Sequence, residues 1–515
     1  MKEKIEIFLV FLFVFHLGVK AQINLDSAKA EVSLYGSLAT NYQPFWFGAN
    51  RDGVIAENLQ NVVVTSELYL PYVMNDNWTF EAGAQVVVRN SGSSSYSFSQ
   101  SIGLFLNEYF LNTSYKSLSL NIGAFPDRHS IIFHELSSGD WAASRNARPI
   151  PKISLGFDDY VGVPFSREWV KVKGIFAQGW MERERFVPKP QLHEKSAYIK
   201  ILEPWLVSFE FGMSHFALYG GDSDSADTSV SWKDYLNIVA GKEAAGVASG
   251  GYVPGSHLGT LDFVMNFTLG KRPVKVYIQK PWEDSQQIGK QKFFKKYTDN
   301  ADQLVGLHIS NPGKKKWLKN LVIEYMHSKL QTGPGLSDVP GGGNPGDLDP
   351  DGTLFNQGYA YGQRENYYNN WFYGSGWTRY GRTIGTPLFL TSARIRDVYG
   401  DVEFGLDYER TFVFNNRIEG LHIGANGRIS SKTDYELKFT YTRNFGNYYS
   451  QYGRYWERLD QDYYFESGRT HYYLATSVNH ELRGPLEIHV SLGYDFGEQN
   501  NSFGLLSKVT YRFKE

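Results

Sequence analysis

Two segments of the sequence concentrate side chains whose chemistry suits a sugar ligand. Residues 358–381 and 447–465 interleave tyrosine and tryptophan rings with arginine and amide side chains. A sugar presents apolar C–H faces that stack on aromatic rings, and its hydroxyl groups need hydrogen-bond donors and acceptors. The alternative is that these rings pack on each other within a buried loop. The candidate carbohydrate-binding residues are Tyr367, Trp371, Tyr373, Trp377, Arg379, Arg454, Tyr455 and Trp456.

An acidic run is similar to half of a calcium-binding loop. Asp347, Asp349 and Asp351 stand at alternate positions ahead of Gly352, as in the first half of an EF-hand loop. The last position of such a loop needs a bidentate glutamate, but here it is Gly358. We therefore favour a solvated turn and expect neither a metal nor a cofactor.

The sequence contains no recognisable catalytic motif. His129 and His134 lie beside Glu135, but their spacing is not the HExxH of zinc proteases. A nucleophile elbow, a P-loop and a dinucleotide-binding glycine motif between a strand and a helix are also missing from the sequence. The chain has no cysteine, which excludes a disulfide scaffold, a CxxC redox site and a zinc ribbon. The sequence therefore predicts a protein that is not an enzyme.

The composition indicates a large protein that is rich in β-structure. The chain has 515 residues, of which 16% are aromatic and 51 are glycine, residue types that are frequent in strands and turns. A formal net charge of −2 argues against a nucleic-acid-binding protein that relies on a basic surface. The mean hydropathy is −0.38 and the body of the chain has no apolar run of about 18 residues, which excludes a bundle of transmembrane helices.

Residues 1–21 predict a cleaved signal peptide. Lys2 and Lys4 precede an apolar stretch, and Ala21 supplies the small residue of a cleavage site. The mature chain, residues 22–515, would form a single domain, and a membrane anchor is the alternative for the N-terminus. An exported chain without cysteine suits the envelope of a Gram-negative bacterium.

Alternation with a period of two is the strongest structural signal. Ile488, Val490 and Leu492 share one face of a strand, and polar side chains occupy the other. A soluble β-sandwich would alternate in the same way. Charged polar faces and aromatic strand ends, such as Tyr441 and Phe496, instead favour an all-β fold in the form of a transmembrane antiparallel β-barrel.

Counting the alternating segments predicts about 18 strands, an even number as bacterial barrels have. Residues 32–40 also alternate, but a nineteenth strand would make the number of strands odd, so we leave them out of the wall. The predicted strands are 62–72, 78–89, 97–113, 117–125, 168–179, 196–202, 205–213, 258–269, 273–281, 302–310, 319–330, 386–393, 400–412, 417–429, 434–444, 469–482, 485–496 and 502–513.

The lengths of the connections predict how the barrel is oriented. Bacterial barrels have short turns in the periplasm and long loops outside. Counting strands back from the C-terminus places residues 126–167 in the periplasm, where they could form a plug. The short turns fall near 203–204, 270–272, 430–433 and 483–484. The long outer segments are 214–257, 282–301, 331–385 and 445–468.

One stretch of the chain resembles the signature of a known family. Residues 136–141 read LSSGDW and residues 146–151 read NARPIP, and the earlier runs YQPFWF (42–47) and NRDG (50–53) are similar too. This pattern resembles the capsule assembly Wzi family. The resemblance implies an 18-stranded outer-membrane barrel with a helical periplasmic plug and outer loops that close the mouth. It also implies a surface lectin that holds capsular or exopolysaccharide.

The residues of this signature allow two interpretations. Arg145, Asn146 and Arg148 could form a polar or anionic site. Pro149 and Pro151 instead suggest a fixed, extended segment threaded along the lumen wall. We favour the structural role, in which lumen carboxylates pair with the two arginines. The expected carboxylates are Glu403 and Asp407.

We therefore expect a non-catalytic outer-membrane barrel that binds capsular or exopolysaccharide and helps to attach or assemble it at the cell surface. The alternatives are an outer-membrane channel for oligosaccharides or small solutes, and a secreted all-β enzyme that acts on glycans. The expected partners are the polysaccharide and outer-membrane lipid, with no nucleic acid, and the expected state is a monomer.

Overall fold

The chain folds into one closed antiparallel barrel of 18 strands. Each wall strand pairs with the wall strands before and after it in the chain, and the first strand closes against the last, with Ala30 opposite Phe513. The predicted fold class and strand number are therefore confirmed. The computed structural model describes residues 28–91, 102–126, 130–132, 135–203, 205–223, 228–241, 255–283, 302–313, 316–329, 331, 366–370, 372–400, 412–447, 464–465, 467–498 and 500–513.

The described secondary structure is almost entirely β. The strands are β1 (Lys29–Ala39), β2 (Gln60–Val73), β3 (Trp78–Ser91), β4 (Ile102–Tyr115), β5 (Leu118–Ala124), β6 (Pro151–Gly162), β7 (Val170–Trp180), β8 (Gln191–Ile201), β9 (Val207–Tyr219), β10 (Ser256–Leu269), β11 (Arg272–Trp282), β12 (Gln303–Ser310), β13 (Asn320–His327), β14 (Thr378–Arg379), β15 (Arg382–Thr383), β16 (Leu390–Thr391), β17 (Val413–Asn415), β18 (Ile418–Ser430), β19 (Thr433–Asn444), β20 (Arg469–Glu481), β21 (Leu486–Gly497) and β22 (Ser502–Phe513). The helices are α1 (Phe45–Gly48), α2 (Trp232–Val239) and α3 (Ser392–Tyr399). The pairs β14–β15 and β16–β17 lie outside the wall. Within the described ranges, no helix is both long enough and apolar enough to span a membrane.

The wall strands have one apolar and one polar face, as the alternation predicts. In β22, Leu505 and Val509 point outward and are exposed, whereas Ser502 and Thr510 are buried. An outward apolar face is stable only against lipid, and the inward polar face finds hydrogen-bond partners within the barrel. The same division recurs in β5, where Leu118, Leu120 and Ile122 are exposed.

Aromatic side chains mark both ends of this apolar band. Exposed tryptophans cluster near the short turns at one end of the barrel. At the other end, rings stack across neighbouring strands, with the Tyr472 and Phe496 centroids 4.9 Å apart. Such paired girdles are typical of transmembrane barrels. The exposed tryptophans at the short-turn end are Trp78, Trp169, Trp205 and Trp317.

Two predicted strands do not belong to the wall. β13 pairs directly with β18, so neither 386–393 nor 400–412 is inserted between them. Residues 386–393 instead contain β16 and the start of α3. Their sequence resembles that of a strand because they are apolar and buried on all sides. A short apolar run does not distinguish a buried strand from another kind of buried segment. Residues 401–411 lie outside the described part of the chain.

Two wall strands escape the sequence prediction. β1 covers most of residues 32–40, and it closes the barrel between β2 and β22. Parity was therefore the wrong reason to exclude it. β6 lies within the predicted plug 126–167, and its register shifts between Phe157 and Val161. A bulge of this kind breaks the period of two that reveals a strand.

The missed strand β6 corrects the predicted position of the plug. Because β6 crosses the barrel, residues 125–150 lie at the same end as the long connections and not at the end of the short turns. The described residues of 126–167 form no helix. The four predicted short turns do share one end, which is periplasmic by the general habit of barrels. The connections at the opposite end include 40–59, 125–150, 181–190, 220–255, 283–302, 328–417 and 445–468.

Three of these long connections fold back into the barrel. Their described residues within 40–59, 130–150 and 366–417 are called the lumen layer below. Trp141, Tyr367 and Phe389 meet at its centre, where the Trp141 ring centroid lies 5.6 Å from each of the other two. The hydrophobic core of the protein is therefore inside the barrel, formed by the layer and inward-facing wall residues.

Candidate functional site

The LSSGDW loop is attached to the wall through a buried carboxylate. Glu324 of β13 is 1% exposed. The Ser137 hydroxyl donates to its Oε1 at 2.6 Å, and the Ser138 amide and hydroxyl donate to its Oε2 at 2.7 and 2.6 Å. The Tyr277 hydroxyl of β11 donates to the same carboxylate. Charged hydrogen bonds in a dry interior are strong, so this loop has one fixed position.

Two further wall side chains hold the same loop. Gln279 donates to Asp140 Oδ2 at 2.8 Å and accepts from the Trp141 amide at 3.2 Å. His422 Nε2 donates to the Leu136 carbonyl oxygen at 2.6 Å. Asp140 Oδ1 in turn accepts from the Ala142 amide at 2.9 Å, which fixes the turn itself. The sequence motif therefore supplies anchors for the chain inside the barrel.

Arg145 and Asn146 connect the segments of the lumen layer to each other. Arg145 forms an ion pair with Asp52, which belongs to the NRDG run. The charge of Asp52 raises the pKa of Arg145 above its usual range. Asn146 Nδ2 donates to the Thr383 carbonyl oxygen at 3.0 Å. The predicted partners Glu403 and Asp407 lie outside the described residues, and the observed partner of Arg145 is Asp52.

Arg148 and the two prolines have structural surroundings. The Arg148 guanidinium lies 4.0 Å from the Phe105 ring centroid and 4.2 Å from that of Tyr380, and it donates to the Leu106 carbonyl oxygen at 3.1 Å. Pro149 is buried, and Pro151 is the first residue of β6. The sequence predicts an extended segment that runs along the inner side of the wall. At Pro151 this prediction is wrong, because the chain there is itself a wall strand.

Half of the candidate carbohydrate-binding residues lie in the described part of the chain, and all of these are buried. Tyr367, Tyr373, Trp377 and Arg379 are between 1% and 5% exposed. Each of the four has a polar atom bound to a protein group, as when Trp377 Nε1 donates to the Ala142 carbonyl oxygen at 2.7 Å. A sugar cannot stack on a covered ring, so packing describes the three rings in this structure. The other candidates, which lie outside the described residues, are Trp371, Arg454, Tyr455 and Trp456.

The predicted calcium-like loop stays untested by the structure. The connection between β9 and β10 contains α2, whose N-terminus is capped by Ser231 and whose Ile238 is buried. The acidic run Asp347, Asp349 and Asp351 lies outside the described residues. Among the described residues, no group of histidine, aspartate and glutamate side chains is arranged to hold a metal ion.

Open space remains beneath the lumen layer, at the end of the short turns. One cavity of about 570 Å³ is lined by Lys200, Glu203 and Lys275, among others. A second cavity of about 910 Å³ is lined by residues that include Glu67 and Arg512. The filled part of the lumen therefore lies toward the long connections.

The family of the protein follows from a comparison of its sequence with family models. The model described as capsule assembly protein Wzi matches residues 48–335. The chain belongs to the Wzi family. The match contains the LSSGDW and NARPIP runs together with Glu324 and Gln279, so the anchored loop belongs to the shared part of the chain. The aromatic segments 358–381 and 447–465 lie beyond the matched residues.

One solved structure agrees with this assignment at the level of the fold. This Wzi-family chain is similar to the solved structure of Wzi from Escherichia coli, with 13% identity and a TM-score of 0.55. That protein is described as an outer-membrane protein involved in group 1 capsule assembly and as a carbohydrate-binding β-barrel. That alignment covers 95% of this chain and 85% of the other. The outer-membrane proteins OpdL and OprD of Pseudomonas aeruginosa align at 9% and 8% identity, with TM-scores of 0.42 and 0.41. These two alignments cover 95% and 96% of this chain, and 98% and 96% of the other chains. A search of curated proteins finds no match.

Proposed function

We propose that this protein is an outer-membrane barrel that binds capsular or exopolysaccharide and helps to attach or assemble it at the cell surface. The observation that carries the proposal is the family match over residues 48–335, whose description is capsule assembly. The structurally similar Escherichia coli protein is described as carbohydrate-binding, which supports the same ligand class here. The apolar outer face and aromatic girdles support a position in the outer membrane.

The lumen layer disfavours the alternative of a solute channel. Its contacts reach around the circumference of the wall. Gln43 donates to Ser37 of β1 at 2.7 Å, Phe45 donates to Asp495 of β21 at 2.8 Å, and on the far side the LSSGDW loop binds β11 and β13. A channel needs a continuous aqueous path, and a packed layer between opposite walls interrupts it. We therefore propose that ligand binding, and not solute passage, is the function of the barrel.

The remaining expectations belong to this proposal. We propose that the protein catalyses no reaction, since the family description names assembly. Cleavage after Ala21, a mature single domain from Gln22 and a monomeric state stay predictions. So does the absence of a nucleic-acid partner, which the net charge of −2 favours.

Recognition of a repeating polymer would be multivalent. Each aromatic stacking contact contributes about 0.5–1.5 kcal/mol, which is too little for tight binding of a single sugar. Several such contacts along one chain act together, because each bound sugar raises the effective concentration of the next. The candidates for this role are Trp371, Arg454, Tyr455 and Trp456.

Removal of the protein should release the polymer from cells without stopping its synthesis. In a strain that lacks the chain, we expect the cell-bound polysaccharide to fall several-fold and the free polysaccharide to rise, with an unchanged total. The measurement is a uronic-acid or total-sugar assay on washed cells and on the culture supernatant. Restoring the full chain should restore retention. An unchanged ratio of bound to free polymer would refute the proposal.

A candidate outside the described residues and a buried tryptophan should behave differently. We expect Trp456→Ala to reduce cell-bound polymer about threefold to tenfold, which corresponds to the loss of one stacking contact, and to leave the heat resistance of the barrel unchanged. The matched control is Trp377→Ala, which removes a ring that is 4% exposed. That variant should lose about 3–5 kcal/mol of folding free energy.

The comparison is measured as polymer retention on cells and as the temperature at which the folded barrel changes its electrophoretic mobility. If Trp456→Ala retained polymer at the wild-type level, its segment would not bind the sugar.

A further inference from the structure

A cleft lined with arginine side chains lies near the long-connection end of the barrel. Arg89 stands close to the end of β3, and Arg148 follows the LSSGDW loop. Arg379 and Arg382 come from β14 and β15. These four side chains line a cleft of about 40 Å³. The sequence names Arg148 and Arg379 as separate candidates but does not bring the four together, because Arg89, Arg148 and the Arg379–Arg382 pair are distant along the chain.

The cleft carries more positive than negative charge. Glu57 lies 3.8 Å from Arg382, and Glu182 lies 3.9 Å from Arg379. Among the described residues, Arg89 and Arg148 form no ion pair and donate only to carbonyl oxygens, Arg89 to that of Gly53 at 3.1 Å. Buried charges are normally paired. The surplus therefore attracts an anion.

Three guanidinium groups have donors without an acceptor. Within the described part of the chain, the Nε atoms of Arg89, Arg148 and Arg379 are buried and have no hydrogen-bond partner. The Arg379 side chain is only 6% exposed. Buried donors are rarely left unsatisfied. Burial, with the nearby charge of Arg379 adding to it, also lowers the pKa of Arg148 to about 10, so the group stays charged at neutral pH.

The backbone forces two of these arginines together. Arg379 and Arg382 are directly opposite each other in the β14–β15 pair. The turn between them has φ angles of 46° at Tyr380 and 80° at Gly381, and the first is an unfavourable value for a residue with a side chain. Like charges directly across a strand pair are destabilising as well. Strain of this kind persists where the surroundings impose it, and it is frequent at ligand sites.

The size and shape of the cleft select the ligand group. A volume of about 40 Å³ admits about three water molecules, which is room for a carboxylate but not for a sugar ring. The rings of Phe105 and Tyr380 fix the plane of Arg148 between them. A planar guanidinium in a fixed orientation binds a planar carboxylate through two parallel hydrogen bonds.

We propose that this arginine cleft binds the carboxylate of an acidic sugar residue of the polysaccharide, while the sugar ring stays outside the cleft. The inference rests on the function proposed above and adds the ligand class. It places a charged recognition site next to the hairpin turn at Tyr380 and Gly381.

Binding of small sugars to the purified full-length barrel in detergent tests the inference. Sodium glucuronate is the probe, and glucose and inorganic phosphate are the comparison ligands, each followed by titration calorimetry. We expect binding of glucuronate and none of glucose. Arg89→Gln should weaken glucuronate binding about tenfold or more, the effect of losing one charged hydrogen-bonding group. Arg148→Lys keeps the charge and should weaken binding less.

Arg512→Gln is the matched control, because Arg512 is exposed near the short turns, where it pairs with Glu487 at 2.8 Å. It should bind glucuronate like the wild type. Folding of each variant is checked by heat-dependent electrophoretic mobility, and Arg148→Lys serves if Arg89→Gln does not fold. Equal affinity for glucuronate and glucose, or wild-type affinity in both cleft variants, would overturn the inference. Equal binding of phosphate would also overturn it, since the cleft would then be a general anion site.

The two proposals fail separately. If the deletion strain loses polymer but the protein does not bind glucuronate, the cleft assignment is wrong and the proposed function stands. If glucuronate binds in the cleft but the deletion strain retains its polymer, the proposed function is wrong.

Discussion

Glu324→Ala should open the barrel to small ions. The substitution removes the carboxylate that accepts from Ser137, Ser138 and Tyr277. Each hydrogen bond to a charged group contributes about 1.5–3 kcal/mol, so the loop loses on the order of 5 kcal/mol of attachment. The donors that remain would be buried without an acceptor, which adds to the cost. We expect the LSSGDW loop to leave its position and the lumen layer to open.

The measurement is single-channel conductance in planar bilayers. The wild-type protein should conduct close to the baseline, and Glu324→Ala should show a raised and fluctuating conductance. Glu31→Ala is a suitable control, since Glu31 also belongs to a wall strand but pairs near the short turns with Arg512 at 3.5 Å. A folded Glu324→Ala barrel that stays as closed as the control would show that this carboxylate does not hold the layer.

Trp141→Ala should be the most destabilising single substitution within the layer. The Trp141 side chain is fully buried, and its ring meets Tyr367 and Phe389 edge to face. Removal of a buried tryptophan ring costs about 3–5 kcal/mol, because the cavity is only partly filled by relaxation. The Trp377 side chain, whose indole donates to the Ala142 carbonyl oxygen, would lose support as well.

This effect is measured as the temperature at which the folded barrel converts to its unfolded mobility in detergent gels. Trp141→Phe should recover most of the loss, since it restores an aromatic ring in the same space. Trp205→Ala is the exposed control, because Trp205 is 63% exposed at the short-turn end, and it should change that temperature little. A loss as large in Trp205→Ala as in Trp141→Ala would contradict this account of the core.

The family signature acquires a physical meaning from these contacts. In the LSSGDW run, the hydroxyls of Ser137 and Ser138 donate to Glu324, and Asp140 accepts a hydrogen bond from Gln279. These bonds attach the loop to β13 and β11. The NARPIP run then connects the layer to the neighbouring hairpin through Asn146. The motif thus anchors the lumen layer to the wall and positions Arg148 beside the β14–β15 turn.

The wall of the barrel could be predicted from the sequence because its signal is local. A wall strand has lipid on one side and the lumen on the other, so polarity alternates along each strand whatever its neighbours are. Sixteen of the predicted segments overlap wall strands for this reason. The exceptions are instructive. The bulge near Phe157 interrupts the alternation along β6, so the sequence does not reveal this strand. Residues 386–393 are buried on all sides, which gives them the apolar pattern of a strand.

The interior of the barrel was decided by the tertiary structure alone. The pair of Asp52 with Arg145 and the hydrogen bonds of Glu324 join residues that are far apart in the chain, and no local period records such contacts. For the same reason, the buried state of Tyr367 and Trp377 could not be separated from an exposed binding surface, since aromatic rings serve both. The arginine cleft is the extreme case, because its four arginines come from three distant stretches of the chain and only the closed barrel brings their charges together.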